Sequence, residues 1–307
     1  MSDLFRKYTV KDITVCVCTY NRWKSLPQTL RSIKYQSSGI PNLILVDDAS
    51  SNNIPLDIQN LINSFKNSVY IKHSSNKGLA AARNTGINNT KTRLFTFIDD
   101  DDQWEPDYLK NVLEAYNKNR NIDMLIGIKP TRFKILENRF NSSISIQTLF
   151  AKGFCPPVGS QVYKTKLLKQ ISGYNENVKS GVDLDLWVRL LCINCNSTII
   201  WGDWIKVGMD QRVRITTNEF NRIKKSKASL TIWETYIVRE MGRRFFNNYS
   251  RAYINHLYAG FVLQYIKSFK FSKIRYKHTR IPIFVDIIQK LFFHKLLGFN
   301  GSPTLFL

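Results

Sequence analysis

Four consecutive aspartates, Asp99, Asp100, Asp101 and Asp102, close the apolar run "RLFTFIDDDD". Carboxylates this close repel one another, and without a counter-charge several of them carry raised pKa values or cost stability. A divalent cation removes that cost. Hard oxygen donors suit Mg2+ or Mn2+, which keep waters and share coordination with the phosphate oxygens of a ligand. The plainer reading is a solvated acidic turn that caps the next helix. Glu105 and Asp107 are placed for that capping, which leaves the four aspartates in excess of what a cap needs. Two further apolar runs also end in polar residues: "ITVCVCTYN" at Thr19, Tyr20 and Asn21, and "NLILVDDAS" at Asp47 and Asp48. No His/Cys cluster points to zinc. Cys192 and Cys195 form a lone C-x-x-C, and the five cysteines are expected to be unpaired thiols of a reducing compartment.

The elements that must carry these residues are legible from periodicity. The three runs are continuous rather than alternating, so they predict strands covered on both faces. Between them lie helical patterns: "KSLPQTLRSIKYQ", "IPLDIQNLINSFKNS", the Ala-rich "GLAAARNTGINNT", and "EPDYLKNVLEAYNKN" with Pro106 in its first turn. "VYIKHSS" reads as a short strand. The order β-α-β-α-β-α-β-α predicts an α/β fold with a mainly parallel, Rossmann-like sheet. Ligands of such sheets sit at the carboxyl ends of the strands, so one site is expected across all three polar strand ends. The middle, 123–218, holds a Pro-Pro loop, a strand, a short helix, a turn, and a helix beginning near Asp183.

The 307 residues carry 45 Lys+Arg against 23 Asp+Glu, a formal net charge of +22. Such an excess favours an anionic partner. It is uneven: residues 219–307 hold 16 basic and 4 acidic side chains, more than half of the net charge. There "YAGFVLQYIKSFKFSKIRYKHTRIP" and "FVDIIQKLFFHKLLGF" read as basic amphipathic helices. They suit either an anionic membrane surface or a helical subdomain with a basic outer face. No helix-turn-helix, zinc-finger or RNA-recognition pattern accompanies the charge, so nucleic acid is not expected as a partner. The N-terminal "MSDLFRKYTVKD" has no apolar signal core, and no apolar run reaches the roughly 18 residues of a spanning helix. The expected location is cytoplasmic, peripheral on the inner face of the cytoplasmic membrane.

The ordered set "TVCVCTYNR", "LRSI", "LILVDDASSN", "NKGLAAARNTGI" and "LFTFIDDDDQWEPDYL" resembles the inverting family 2 glycosyltransferases of the GT-A fold, over about 12–215. The resemblance implies a catalytic domain over 1–218, with a nucleotide-sugar half at about 12–122 and an acceptor half at about 123–218. The basic helical region over 219–307 follows it. It implies a UDP-sugar donor, Mn2+ or Mg2+, and a saccharide acceptor, carried on a lipid diphosphate, of a bacterial surface polysaccharide. Thr19, Tyr20 and Asn21 match the loop that contacts the nucleotide, and Asp48 the acid that hydrogen-bonds the pyrimidine. Asn76, Gly78, Arg83 and Asn84 match the segment lining the base and diphosphate. The D-x-D falls on Asp99, Asp100 and Asp101, with Asp101 as metal ligand and Asp99 near the ribose and metal. A register one residue later, 100–102, stays open.

"GVDLDLWVRL" resembles the family segment that holds the catalytic base, here Asp183, with Asp185 as competitor. The Glu usual before that acid is Val182 here. Asp185, Trp187 and Trp201 are candidates for the acceptor side. Relatives often carry a His near the end of the catalytic domain. Here "MDQRVRITTN" has none, which leaves Arg212 or Arg214 for the diphosphate. Two rival functions use the same acids: a nucleotide-sugar hydrolase or nucleotidyltransferase, and a non-catalytic membrane-docked scaffold that binds UDP.

Overall fold

The computed structural model describes residues 6–130, 156–178, 181–193 and 195–208, and individual positions between 227 and 250. Three strand–helix repeats and a fourth strand open the chain. They are β1 (Ile13–Thr19) and α1 (Leu26–Lys34), β2 (Asn42–Asp47) and α2 (Leu56–Asn63), β3 (Ser68–Lys72) and α3 (Leu79–Asn89), then β4 (Leu94–Asp99). The short β5 (Gln103–Trp104) precedes α4 (Tyr108–Lys118). After these come β6 (Met124–Ile128), β7 (Gln161–Lys164), α5 (Thr165–Gln170), α6 (Val182–Cys192), β8 (Ser197–Trp201) and β9 (Ile205–Lys206). The predicted α/β alternation is present element by element. Two details differ: Pro106 lies just ahead of α4, whose N-cap is Asp107, and neither Asp107 nor Glu105 caps it through its side chain. Asp107 instead accepts from the Ser37 hydroxyl at 2.6 Å, and Glu105 pairs with Lys206 at 2.9 Å.

Seven strands form one sheet in the order β3-β2-β1-β4-β7-β6-β8. β1 pairs in parallel with β2 and β4, β2 with β3, and β6 with β8; β7 runs antiparallel to β4 and β6. The sheet is mainly parallel, as expected, and among the described strands β7 is the one reversal in it. Every residue of β1 but Cys18, and every residue of β6, is buried, which is why these segments read as unbroken apolar runs. α3 can lie close to β1 because its inner face is small. A Cβ on Gly86 would stand 2.3 Å from the Cys16 sulfur, and Ala80, Ala81 and Ala82 are all buried. The core on the other face joins Leu26, Leu30 and Ile33 of α1 to Tyr108, Val112 and Tyr116 of α4.

The chain winds outward from β1 through β2 to β3, then returns to β4 on the other side of β1. The switch point at this reversal, where ligands of such sheets bind, lies at the carboxyl ends of β1, β2 and β4. All seven strands belong to one compact unit, which holds 6–130, 156–176 and 195–208; a second unit holds α6 and the described positions between 227 and 250. Cys16, Cys18, Cys192 and Cys195 are free thiols. Among the described residues no helix is long and apolar enough to cross a membrane. Most of 219–307, including the two basic amphipathic stretches, lies outside the described residues, as do Arg212 and Arg214.

Candidate active site

β4 ends in a tight turn, in which the Asp102 N–H donates to the Asp99 carbonyl at 3.0 Å. The turn sorts its four carboxylates alternately. The Asp99 side chain is 48% exposed and that of Asp101 15%, whereas that of Asp100 is 4% exposed. Asp102 is also buried, and accepts the Gly208 N–H at 2.9 Å. Gly208 lies so close that a Cβ there would stand 1.9 Å from the Asp101 carbonyl oxygen.

Cationic partners answer the repulsion expected of this cluster. Arg22 forks across two of the acids, 2.8 Å from Asp100 and 2.5 Å from Asp101. Arg83 reaches Asp99 at 3.2 Å. Arg83 is not an exposed helix charge: it is 2% exposed, with its guanidinium near the rings of Phe97 and Tyr174. Arg22 was not singled out from the sequence, although it directly follows Thr19, Tyr20 and Asn21; an arginine one residue beyond a polar strand end was the available signal. No three His, Cys, Asp or Glu side chains converge as a metal group among the described residues. The chain thus offers two outward carboxylates, Asp99 and Asp101, a donor set that fits a cation which keeps waters and takes phosphate oxygens.

Burial pushes the Asp100 carboxyl up to about 7; the Thr19 hydroxyl, 2.7 Å away, and Arg22 pull it down, while Asp99 and Asp101 push it up again. The unfolded value is about 4. Between these values the folded protein binds more protons than the unfolded chain, so the metal-free protein loses stability as pH rises from about 4 to 7. Asp100→Asn is expected to flatten that slope, an effect on the order of 4 kcal/mol. Urea unfolding at several pH values in EDTA measures it.

The β1 and β2 ends are tied together. Thr19 is buried, its hydroxyl committed to Asp100, so it positions the acidic turn. Tyr20 is 47% exposed. Asn21 takes the left-handed φ of 56°, and its side-chain oxygen accepts from the N–H and hydroxyl of Ser51. Asp47 is buried among the Ser50 N–H, the Tyr70 hydroxyl and Lys72. Asp48 accepts the Lys77 N–H at 2.9 Å and the Gly78 N–H at 2.8 Å, and lies 2.7 Å from His73 Nδ1. Gly78 needs its missing Cβ, because its φ is 89° at the N-cap of α3. Asp48 thus holds the loop that carries the exposed Asn76. His73, which also reaches Thr85 at 2.9 Å, was missed in the sequence; as a lone histidine after a short strand it gave no signal. Asn84 does not join this group. Its amide bonds the backbone of Tyr174 and the Glu176 side chain, fixing the 173–176 turn.

In the second unit, Asp183 is half-buried in the first turn of α6, next to Gly181 with φ 73°. Asp185 is fully buried, 2.9 Å from Arg189 Nε and 3.1 Å from the Trp233 indole nitrogen. Trp187 is fully buried as well. These two were expected on the acceptor side. A side chain with no exposed surface cannot meet a sugar, and both are structural here. Trp233 was not singled out, because nothing in its local sequence announces a partner 48 residues away. Trp201, at the end of β8 in the first unit, is half-buried.

A mainly parallel α/β sheet with an acidic turn at its switch point is the arrangement of the GT-A fold. The chain belongs to glycosyl transferase family 2, whose model matches residues 14–172. An uncharacterized glycosyltransferase of Methanocaldococcus jannaschii, MJ1057, is 26% identical over 231 residues, 70% of this chain and 75% of that protein. Two other curated relatives are spanned over 62% and 47% of their own lengths. Among solved structures, S. aureus TarS 1-349 in complex with UDP-GlcNAc superposes with a TM-score of 0.61 at 16% identity. The match covers 91% of this chain and 79% of that one. The mannosyltransferase PcManGT of Pyrobaculum calidifontis, in complex with GDP-Man and Mn2+, gives 0.58 at 15% identity, over 94% and 81%. At such identities the likeness speaks to the fold.

Proposed function

We propose that this family 2 glycosyltransferase is inverting and moves a hexose or N-acetylhexosamine from a UDP-sugar to a saccharide acceptor carried on a lipid diphosphate. The observation that carries the reading is the outward pair Asp99 and Asp101 at the carboxyl end of β4. Their alternation with the buried Asp100 and Asp102 favours the D-x-D register 99–101 over 100–102. Mn2+ or Mg2+ held there would neutralise the charge that grows on the leaving diphosphate. The TarS structure was solved with UDP-GlcNAc and the PcManGT structure with Mn2+, which supports a nucleotide-sugar donor and such a cation.

On this reading Tyr20 offers its exposed ring to the nucleotide, and Asn21 sets the loop's shape. Asp48 reads the pyrimidine while holding the loop of Asn76 and Gly78. Arg83 supports Asp99, and Arg22 must release Asp101 or share it when the donor binds. Asp183 takes the proton of the acceptor hydroxyl, which attacks the anomeric carbon directly. One displacement inverts that carbon, so an α-linked UDP-hexose yields a β bond and no enzyme-linked intermediate forms. Trp201 remains as the acceptor-side aromatic. The proposal includes the division into a catalytic part, 1–218, and a basic part, 219–307, docked on an anionic membrane surface, in the synthesis of capsule, O-antigen or lipooligosaccharide.

Gly208→Ala tests the geometry of the acidic turn, since the added methyl has no room beside Asp101. UDP affinity in Mn2+ is expected to fall about tenfold, with a stability loss of about 1–3 kcal/mol; calorimetry and urea unfolding measure the two. The reaction itself is tested by incubating the protein and Mn2+ with UDP-, GDP- and dTDP-sugars, with and without a bacterial lipid-diphosphate extract. Release of UDP from one donor, increased by the extract, is the expected result. Release indifferent to every acceptor would make the protein a hydrolase. Tight UDP binding without any release would make it a scaffold.

A further inference from the structure

We propose that the chain carries a second anion site, a phosphate-binding cavity at the end of the sheet opposite the acidic turn. A cavity of about 480 Å³ is walled by Lys91, Arg93, Arg120, Lys164, Lys166 and Lys169, together with Tyr8 and threonines. Among the described residues no Asp or Glu lines it. Topology fixes its position. Arg93 immediately precedes β4, Lys164 is the register partner of Leu94, and Arg120 precedes β6. These are the amino ends of the parallel strands, roughly 15–20 Å along β4 from Asp99. The cavity is therefore separate from the donor residues, and the inference stands whether or not the donor reading does.

Several of its cations are held in place by backbone carbonyls. The Arg93 guanidinium lies 4.0 Å from the Tyr8 ring centroid and donates to the carbonyls of Arg6 and Lys7. Arg120 donates to the Arg6 carbonyl at 3.1 Å, and Lys169 to the Thr90 carbonyl at 3.1 Å. Carbonyl partners orient a cation and leave its charge. The acids described as pairing with this wall are Asp12, with Arg93, and Asp123, with Lys164. Lys91 and Lys166 are exposed and have no acid partner among the described residues.

A second, independent observation points the same way. Thr165 lines the cavity, is 6% exposed, and its hydroxyl has no hydrogen-bond partner among the described residues. A buried hydroxyl without a partner is costly, and a ligand that takes it removes the cost. Fixed Lys and Arg donors beside a free hydroxyl match a tetrahedral phosphate, which presents several charged acceptor oxygens at once. A neutral sugar would leave the charge unanswered. The ligand class is thus a phosphate ester or diphosphate, a chemistry shared by anionic lipid head groups and soluble phosphate compounds.

Inorganic pyrophosphate titrated into the full chain in EDTA, followed by calorimetry, is the test. Lys91→Ala/Lys166→Ala is expected to weaken binding about tenfold or more. Lys34→Ala/Lys110→Ala, outside the cavity, should leave it unchanged. Thr165→Val should weaken pyrophosphate binding without lowering the thermal midpoint of the ligand-free protein. Sedimentation with vesicles of phosphatidylcholine, with and without phosphatidylglycerol, separates the sources. Pelleting that pyrophosphate reduces in wild type but not in the Lys91/Lys166 variant assigns the site to a lipid phosphate; pelleting indifferent to pyrophosphate, with pyrophosphate binding lost in the variant, assigns it to a soluble one. Equal pyrophosphate affinity in wild type and that variant, or an equal loss in the control pair, overturns the proposal. So does a parallel fall in Mn2+-dependent UDP affinity, because the cavity would then not be a separate site.

Discussion

Asp101→Ala is expected to abolish Mn2+-dependent UDP binding and sharply reduce sugar transfer while leaving the fold intact. Asp101 is one of two outward carboxylates on the turn after β4. Without it Asp99 stands alone, and Asp99 is already engaged by Arg83. One carboxylate beside a diphosphate holds a hard cation poorly, and charge on the leaving group then goes unanswered. A loss of about 10²–10³-fold in turnover is expected, the scale seen when one electrostatic stabiliser of a transition state is removed. The fold should survive, because Asp101 lies in a turn and Arg22 keeps Asp100 at 2.8 Å. The measurement is UDP titration with and without Mn2+, beside a thermal melt. Asp102→Asn is the informative comparison: its carboxylate is turned inward to the Gly208 N–H, so it should lower stability more than cation affinity. Full transfer activity in Asp101→Ala would sink the metal assignment.

Asp183→Asn should leave UDP binding and stability near wild type and cut transfer by about 10²–10⁴-fold, the usual contribution of a positioned general base. Asn keeps the shape and suits a helix start, so only the proton acceptor is lost. The dipole effect of an acid in the first turn is worth about 0.3–1 kcal/mol, too little to confuse with the catalytic effect. The neighbouring acid supplies the contrast. Asp185 is buried between Arg189 and Trp233, and Asp185→Asn strips the charge from a buried pair. Such a break costs about 3–5 kcal/mol, so that variant should lose stability first. Assays of nucleotide release and urea unfolding on both variants separate the roles. If Asp183→Asn turns over like wild type, the base is another group.

How far the chain could be read without its structure differs from residue to residue. The strands β1, β2 and β4 were legible because strands buried on both faces must be apolar throughout. The helices between them were legible because one face alone meets the sheet. The acids after β4 stood out because four like charges in a row need a reason. Their division into outward and inward pairs did not, since it depends on Thr19, Arg22 and Gly208, which only folding brings to the turn. Asp185 and Trp187 misled for the same cause: beside a motif they look available, and burial is set by what packs over them.

The local order of the chain thus determined the α/β alternation, the sheet's covered character, the polar strand ends and the family. Each of these follows from propensity and periodicity, which act over neighbouring residues. The antiparallel turn of β7, the clamp of Arg22 on two aspartates, the bond from Trp233 to Asp185 and the basic cavity opposite the acidic turn were decided by tertiary structure alone. They join residues far apart in the chain, 79 positions for Arg22 and Asp101 and 114 for Arg6 and Arg120, and charge, burial and hydrogen bonding between such residues exist only once the sheet has brought them together.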